Sequence, residues 1–303
     1  MKILVTGVAG MLGHKMFQVL RERFPDTMGT AIENVRKRPF DRMDFLQGPE
    51  VVSGVDMTDF ASLEGLLNDI RPDFIVNCVG IIKQREEALQ AIPSISINAL
   101  LPHKLAAFAE KWGGRIIHPS TDCVFSGKKG GYREDDPSDA EDLYGRTKYL
   151  GELKCENALT LRTSIIGREL VEHKSLLDWL LSQDGKTVKG FRRVIYSGVT
   201  TPELAEVVTL VIRRFPELSG LYQVASEPIS KYDLLGLIKD AFKLAVEIIP
   251  DDTTISDRSM RSDKLRQAIG YRCPAWPVLV RALAEDPTPY ERLDVRSGYE
   301  PIR

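Results

Sequence analysis

A chain of 303 residues is long enough for one large domain or two smaller ones with ample apolar core. Hydrophobic residues make up 43% of it and the formal net charge is −2, so bulk charge predicts neither a nucleic-acid nor a membrane partner. Scattered cysteines without metal-type spacing, the lack of a charged-then-apolar leader and the lack of a long apolar run predict a cytoplasmic protein.

The first 24 residues predict a strand, a glycine turn and a helix. Residues 1–6 are apolar and rich in β-branched side chains, as a buried parallel strand requires, and residues 14–24 carry apolar side chains at helical spacing. Glycines between them allow a tight turn, in which N–H groups at the helix N-terminus can face a pyrophosphate. Because the spacing is Gly-x-x-Gly-x-x-Gly, an ordinary strand-to-helix turn is the alternative. The cofactor-binding candidates are Gly7, Gly10, Met11, Leu12 and Gly13.

The loop after the second predicted strand, Thr27–Ala31, bears on the choice of cofactor. An acid at this strand end would bind the ribose 2′-hydroxyl and favour NAD. Glu33 is the only acid nearby, whereas Arg36, Lys37 and Arg38 could meet a 2′-phosphate. We therefore predict NADP, bound by Arg36 and Lys37. A solvated loop cluster, with NAD as the cofactor, is the alternative.

Short apolar runs continue to alternate with helical patterns, which predicts an open parallel sheet. The further predicted elements are a strand ending near residues 55–56, a helix over Phe60–Ile70, a strand over residues 72–77, a helix over residues 98–112 ended by two glycines, and a strand over residues 115–118. Thr121 lies just past this last strand. Such sheets bind ligands at the carboxyl ends of their strands, so Thr121 is a candidate site residue.

Tyr144 and Lys148 are four residues apart in a predicted helix, and therefore share one face of it. A free tyrosine has a pKa near ~10, and a neighbouring lysine cation would lower that pKa toward the neutral range. The pair could then exchange a proton with a carbonyl group that a hydroxyl such as that of Thr121 orients. A solvated helical face is the alternative for an isolated Tyr-x-x-x-Lys.

Beyond residue 166 the alternation of strands and helices becomes less regular. Helices are predicted over Leu176–Leu181, from Thr201, and from a capping Ser230 to Phe242. We predict a dinucleotide-binding domain over residues 1–165, with some later segments packing back on it, and a mainly substrate-binding lobe over residues 166–285. Residues 286–303 are rich in proline and charge and are predicted to be a mobile tail or a docking arm.

Taken together, the motifs resemble those of the extended short-chain dehydrogenases/reductases, and within them the dTDP-4-dehydrorhamnose reductase group. The matching stretches are Thr6-Gly7-x-x-Gly10-x-x-Gly13, Asn77-Cys-Val-Gly80, Ser120-Thr-Asp-Cys-Val-Phe-Ser-Gly127, Tyr144-x-x-x-Lys148, Leu161-Arg-Thr-Ser-Ile-Ile-Gly167 and Gly220-Leu-Tyr-Gln-Val-Ala-Ser226. The resemblance covers residues 1–285. It implies an α/β Rossmann fold, a doubly wound parallel sheet with a smaller C-terminal substrate-binding lobe.

The resemblance also implies roles for individual residues. A hydride would pass from a nicotinamide to a sugar carbonyl, with Tyr144 as proton donor, Lys148 lowering its pKa and binding the ribose, and Thr121 holding the carbonyl oxygen. Further cofactor contacts would come from Asp56, Met57, Asn77, Cys78, Val79, Gly80 and Asn98, and substrate contacts from Asp122, Val124 and Phe125. Independently of the resemblance, Lys83 follows the fourth predicted strand and could face the substrate, and Arg258 could bind a diphosphate; solvated side chains are the alternative. A nucleotide-sugar substrate and a homodimer are implied as well.

One residue of the active-site motif distinguishes this chain from the related 4,6-dehydratases. They carry Thr-Asp-Glu where this chain has Thr121-Asp122-Cys123, and a thiol is a poor substitute for the catalytic carboxylate, so dehydration is not expected. The predicted function is reduction of a 4-keto nucleotide sugar in deoxysugar or cell-surface polysaccharide biosynthesis. An epimerase, or a non-catalytic regulatory subunit of the methionine adenosyltransferase type, is the alternative. The stretches at residues 81–84 and 139–142 depart from the reductase pattern and leave the sugar open.

Overall fold

A computed structural model describes residues 1–82, 89–171 and 173–290 of the chain. The helices are α1 (Met11–Arg23), α2 (Phe60–Ile70), α3 (Ala91–Ser94), α4 (Leu101–Glu110), α5 (Leu143–Leu150), α6 (Leu176–Leu181), α7 (Thr201–Arg214), α8 (Lys231–Phe242), α9 (Asp263–Ile269) and α10 (Trp276–Ala284). The strands are β1 (Ile3–Thr6), β2 (Thr27–Ala31), β3 (Val51–Ser53), β4 (Phe74–Asn77), β5 (Arg115–Thr121), β6 (Ala158–Thr163), β7 (Ile165–Ile166), β8 (Thr187–Phe191), β9 (Val194–Tyr196), β10 (Val199–Thr200), β11 (Gly220–Gln223), β12 (Ile229–Ser230), β13 (Glu247–Asp251) and β14 (Ser256–Asp257).

Seven parallel strands form the central sheet, in the order β11-β6-β5-β4-β1-β2-β3. This order confirms the predicted doubly wound Rossmann fold. The chain runs outward from β1 in one direction through β2 and β3, and in the other through β4 and β5. At the point of reversal, β1 and β4 are neighbours with Thr6 opposite Asn77. Folds of this kind bind ligands in the crevice beyond the carboxyl ends of the strands at such a reversal.

Both faces of the sheet are covered by helices, because successive side chains of a strand point to opposite faces. On one face, Ile3 and Val5 pack in a core with α1 and α7. On the other, Leu4 packs in a core with apolar side chains of α2 and α4. All four residues of β1 are buried, which explains its continuous apolar sequence.

A second lobe stands over the carboxyl ends of the sheet strands. Two small sheets, β12-β9-β14 and the β13-β8 pair, pack with α6, α8 and α10 around a core that includes Leu177, Leu234 and Trp276. Other parts of the second half belong to the first core. Strand β11 extends the main sheet beside β6, and Leu204 of α7 and Leu265 of α9 lie in the core that contains Ile3.

The residues that follow α10 pack against α1. The Lys15 ammonium contacts the Asp286 carboxylate at 2.7 Å and the Thr288 hydroxyl at 2.8 Å, and the Tyr290 hydroxyl lies 2.9 Å from His14 Nε2. Lys15 and Asp286 are both buried, and buried charges require partners. The first five residues of the predicted tail are therefore part of the fold. The remainder, residues 291–303, lies outside the described residues.

Two elements differ from their predicted bounds. The helical stretch that ends at Glu110 begins at Ala91, and its middle, Ile95–Leu100, is π-helical. Its start was missed because Ile92 and Ile95 are exposed, so the usual contrast between an apolar and a polar face is lost there. The third strand ends at Ser53, before the predicted residues 55–56. No helix in the described part of the chain is both long and apolar enough to cross a membrane.

Candidate active site

The glycine turn between β1 and α1 has the shape that an anion site requires. Gly7 has a φ of +71°, which favours glycine, and a Cβ at Gly13 would overlap the Gly7 carbonyl oxygen. Gly10 differs, because among the described residues a Cβ there would meet only the Gly7 oxygen, at 3.4 Å. Gly10 also precedes α1 without a side-chain cap, so no cap takes the first N–H groups of this helix. The turn therefore offers both room for a phosphate group and free N–H donors from the start of α1.

The stretch after β4 is fixed by side-chain amides. Asn77 Oδ1 accepts hydrogen bonds from the Thr6 hydroxyl at 2.9 Å and from the Val79 N–H at 3.3 Å. Asn98 bonds both the N–H and the carbonyl of Ile81, each at 2.9 Å. The π-helical stretch that holds Asn98 thus anchors the chain beyond Gly80. These contacts hold residues 77–81 as a rigid edge beside the glycine turn.

Strand β5 and helix α5 bring the three predicted catalytic side chains together. Thr121 is the last residue of β5, and its side chain lies near the Tyr144 phenol, where it opposes the rise in pKa that burial causes. Lys148 lies one turn along α5 from Tyr144, and its ammonium donates to the Pro119 carbonyl at 2.8 Å. Burial raises the pKa of the Tyr144 phenol above its ordinary value, with the nearby Cys123 acting in the same direction. It lowers the pKa of Lys148 to about 8.

This electrostatic arrangement differs from the sequence-based expectation that Lys148 lowers the pKa of Tyr144. The lysine ammonium is directed at the backbone of β5, and burial of the phenol dominates its pKa. At neutral pH Tyr144 is therefore protonated. A buried, protonated phenol is suited to donate a proton to a reacting oxygen.

A buried ion pair between Arg162 and Glu152 lies next to the Thr121–Tyr144–Lys148 group. Arg162 of β6 binds Glu152 with two contacts of 2.7 Å, and the Ser120 hydroxyl donates to Glu152 at 2.8 Å. Because Glu152 follows Lys148 by four residues and Ser120 precedes Thr121, the pair ties the end of α5 to the end of β5. Such a two-contact ion pair fixes direction as well as distance.

The active-site cleft has a volume of about 450 Å³ and lies between two walls that differ in kind. We call one the glycine wall, defined by residues 10–12 and 77–82, and the other the basic wall, defined by Val194–Tyr196, Lys231, Ser256 and Arg258. Thr121, Asp122, Tyr144 and Lys148 line the cleft between them. Burial raises the pKa of Asp122, and the charge of Arg258 opposes that rise.

Several predicted site residues lie elsewhere. Val124 and Phe125 are fully buried, and Phe125 stacks on Tyr132 with ring centres 4.1 Å apart. Their side chains belong to the core and do not face substrate, although the Phe125 carbonyl accepts from Arg258 Nε at 2.9 Å. Met57 is likewise buried in the core beside α2. Lys83 lies outside the described residues.

Three predicted cofactor residues, Arg36, Lys37 and Asp56, lie outside the glycine wall. Arg36 and Lys37 are exposed in the loop after β2, where Arg36 Nη1 donates to the Gln47 carbonyl at 2.8 Å. Asp56 is exposed and accepts from the Thr58 N–H at 2.8 Å. Cys78 belongs to the glycine wall and is half-buried, and its withdrawal from water raises the pKa of its thiol.

Sequence reasoning missed part of the basic wall. Lys231 is the first residue of α8, and the Ser230 cap predicted where that helix begins but not that its first turn faces the cleft. Tyr196 and Glu169 line the cleft from short segments of the second lobe. No local pattern marks these residues, because their direction depends on how the two lobes pack.

The strand order, the glycine turn and the Thr121–Tyr144–Lys148 group define an extended short-chain dehydrogenase/reductase. The family model described as "RmlD substrate binding domain" matches residues 1–281, so the chain belongs to that family.

Individual relatives include both enzymes and subunits. The chain is 25% identical over 311 residues to dTDP-4-dehydrorhamnose reductase of Aggregatibacter actinomycetemcomitans, covering 94% of this chain and 99% of the relative. It is 27% identical over 258 residues to the spore coat polysaccharide biosynthesis protein SpsK of Bacillus subtilis, covering 82% of each. It is 26% identical over 266 residues to methionine adenosyltransferase 2 subunit beta of Xenopus tropicalis, covering 80% of this chain and 72% of the relative.

Solved structures show the same fold. A hypothetical dTDP-4-dehydrorhamnose reductase from Sulfolobus tokodaii superposes with a TM-score of 0.73 at 27% identity, covering 88% of this chain and 94% of that one. The dTDP-4-dehydrorhamnose reductase of Bacillus anthracis, solved in complex with NADP, superposes with a TM-score of 0.78 at 20% identity, covering 93% and 99%.

Proposed function

We propose that the protein reduces the 4-keto group of a nucleotide sugar with NADPH, with NADH as the alternative cofactor, in deoxysugar or cell-surface polysaccharide biosynthesis. The observation that carries this proposal is the position of Thr121, Tyr144 and Lys148 between the glycine wall and the basic wall. One wall fits a dinucleotide and the other offers cations to a nucleotide diphosphate. The dTDP-4-dehydrorhamnose reductases among the relatives support this substrate class, and the similarity to SpsK supports a role in polysaccharide biosynthesis.

The residues present fit a dinucleotide. Gly10 leaves room on the cleft side of the turn, and the adjacent first turn of α1 offers N–H donors to a pyrophosphate. When bound, the cofactor supplies the hydride that adds to the carbonyl carbon. Arg36 and Lys37, beyond the end of β2, supply the charge for a 2′-phosphate and favour NADPH. The complex of the Bacillus anthracis relative with NADP supports this choice.

The side chains of this chain would supply the proton. Thr121 orients the carbonyl oxygen through its hydroxyl, and Tyr144, protonated at neutral pH, donates its phenolic proton to that oxygen as charge develops on it. Asp122, beside Arg258, orients the sugar. Cys123 stands where a dehydratase would need a carboxylate, so the reaction ends with the alcohol.

A regulatory role is the second candidate, and the likeness to methionine adenosyltransferase 2 subunit beta favours it. A subunit without catalysis has no need of a Thr121–Tyr144–Lys148 group that converges on a cleft, and this group is present. An epimerase on the same scaffold is the third candidate. The reductase reading explains the most residues of the cleft.

The test measures NADPH oxidation with a panel of dTDP-, UDP- and GDP-linked 4-keto sugars. One of them should turn over, and Tyr144→Phe should lower kcat by about 10²–10⁴ with cofactor affinity changed by no more than a few-fold, because only the proton donor is lost. A Tyr144→Phe protein with the parental rate would contradict the mechanism. No turnover with any sugar, together with tight binding to a methionine adenosyltransferase catalytic subunit, would favour the regulatory role.

We also propose that the protein forms a homodimer and acts in the cytoplasm. Large apolar side chains are exposed together along the helical stretch that starts at α3 and on neighbouring α5: Leu89, Ile92, Ile95, Leu100, Tyr149 and Leu150. His103 of α4 bonds the Leu150 carbonyl at 2.9 Å, so the two helices present one surface. Sedimentation should show a dimer that Ile92→Glu with Leu150→Glu converts to a monomer, and a monomeric parent protein would contradict it.

A further inference from the structure

His118 is a buried residue of β5 that the proposed mechanism does not use. Its Nδ1 lies 3.2 Å from Asn77 Nδ2 and its Nε2 lies 3.4 Å from Lys148 Nζ. The imidazole thus joins the asparagine at the end of β4 to the lysine of the catalytic group. His118 is only 1% exposed, like its neighbours in β5.

The direction of the hydrogen bonds follows from Asn77. The Val79 N–H can only donate, so the Asn77 atom that it contacts at 3.3 Å is the amide oxygen. The Thr6 hydroxyl donates to the same oxygen at 2.9 Å. The Asn77 amide nitrogen therefore faces His118, and because an NH₂ group only donates, His118 Nδ1 must accept. A neutral imidazole in this state carries its proton on Nε2.

The Nε2–H group then faces Lys148. An ammonium has three donors and no acceptor, so in its charged form Lys148 would oppose the imidazole N–H. In its uncharged form, the lysine nitrogen can accept from Nε2–H while it still donates to the Pro119 carbonyl at 2.8 Å. The hydrogen bonds of Asn77, His118 and Lys148 are all satisfied when the lysine is uncharged, so the fixed Nε2–H disfavours the ammonium.

We propose that His118 is a positioning residue that lowers the proton affinity of Lys148 by presenting a fixed Nε2–H to its nitrogen. The other groups around the pair are few. Glu152 and Cys78 favour the charged lysine, whereas burial opposes it and places the pKa of Lys148 at about 8. His103 and Lys148 add to the burial that keeps the pKa of His118 well below its ordinary value. The charged fraction of Lys148 therefore falls as the pH rises through about 8.

The consequence for catalysis rests on the proposed reductase function, but the protonation of Lys148 does not. The test is therefore a titration of the free protein by NMR with ¹³Cε-labelled lysine, in which Lys148→Met assigns the Lys148 signal. The parent signal should titrate near pH 8. His118→Gln replaces the imidazole with a carboxamide whose oxygen can accept from the ammonium, so the midpoint should rise by about one pH unit or more.

Two further variants make the result decisive. Asn77→Leu removes the donor opposite Nδ1 without adding a charge, which frees the imidazole proton to move to Nδ1 and should raise the Lys148 midpoint by a separate route. Glu110→Gln, at the exposed end of α4, should leave it unchanged. A parental Lys148 that titrates above pH 10, or a midpoint that neither His118→Gln nor Asn77→Leu moves, would overturn the proposal. If a keto-sugar is turned over, the pH profile of kcat should shift with the NMR midpoint.

Discussion

The glycine wall presents backbone groups to the cleft, whereas the basic wall presents long side chains. In the glycine wall, backbone groups are placed by the ends of β1 and β4, and Asn77 and Asn98 only hold that backbone in position. In the basic wall, long side chains reach the cleft from the second lobe: Lys231 from the first turn of α8, and Arg258 from just after the short strand β14. Backbone sites are rigid and tolerate few side chains, whereas side-chain sites can be changed with the fold intact.

The largest expected effect tests the rigidity of the glycine wall. Gly10→Val should abolish NADPH binding, because a branched side chain would fill the space at the first turn of α1, while the backbone at Gly10 has a φ of −82° that valine adopts. Binding is measured by isothermal calorimetry and folding by circular dichroism. Gly65→Val, on the exposed side of α2, serves as the matched control, since a Cβ there meets nothing within 4 Å.

Gly13→Ala should impair folding, whereas Gly10→Val should impair only cofactor binding. Its Cβ would overlap the Gly7 carbonyl oxygen, so this variant should lose stability before any question of binding arises. Unchanged NADPH affinity in folded Gly10→Val protein would show that the dinucleotide does not lie over this turn.

The second prediction concerns the basic wall. Arg258→Ala should raise the KM for the nucleotide sugar by about 10–100-fold, because a charge-assisted hydrogen bond contributes about 1.5–3 kcal/mol. NADPH affinity should change little, since Arg258 stands across the cleft from the glycine turn. Steady-state kinetics with both ligands varied measures this separation. Arg261→Ala removes a nearby arginine that is bonded to Asp263 at 3.0 Å and should leave the KM unchanged. An equal loss for both ligands would mean that the two walls are not independent.

The difference between the walls also explains what the sequence could predict. Helix α2 begins and ends where its amphipathic pattern predicts, because that pattern is a local signal, and strand β2 also has its predicted bounds. The sequence predicts that Thr121, Tyr144 and Lys148 lie together, because the end of a strand and the spacing along a helix determine their positions. Tyr196 and Glu169 were missed, since nothing near them in the chain indicates which way they point. Val124 and Phe125 were misplaced for the same reason.

The segment after α10 shows most clearly that contacts between distant parts of the chain cannot be predicted from local sequence. Lys15 and Asp286 are 271 residues apart in the chain, and each looks like an ordinary surface charge in its own stretch of sequence. Only the packed structure shows that they form a buried pair against α1. A charged, proline-rich composition predicts disorder where no partner exists, and a partner on a distant helix cannot be read from composition.

The smallest expected effect lies at the outer edge of the glycine wall, where the site changes from backbone to exposed side chains. Arg36→Ala with Lys37→Ala should weaken NADPH by about tenfold and NADH by less than twofold or so, because only NADPH carries the 2′-phosphate. The expected loss is smaller than for Arg258 because both cations are exposed and solvent screens them. For the same reason, the difference between the two cofactors should shrink as the salt concentration rises. Fluorescence titration of each cofactor at two ionic strengths measures it.

Arg214→Ala removes an exposed cation at the far end of α7 and should change neither cofactor. Equal weakening of NADPH and NADH by the double substitution would show that these cations never meet a 2′-phosphate. The loop would then act only through its shape, since Arg36 also ties it to the Gln47 carbonyl, and NADH would become the expected cofactor. A preference that survives high salt would instead indicate a fixed, partly buried phosphate site, because screening acts least on charges that are withdrawn from water.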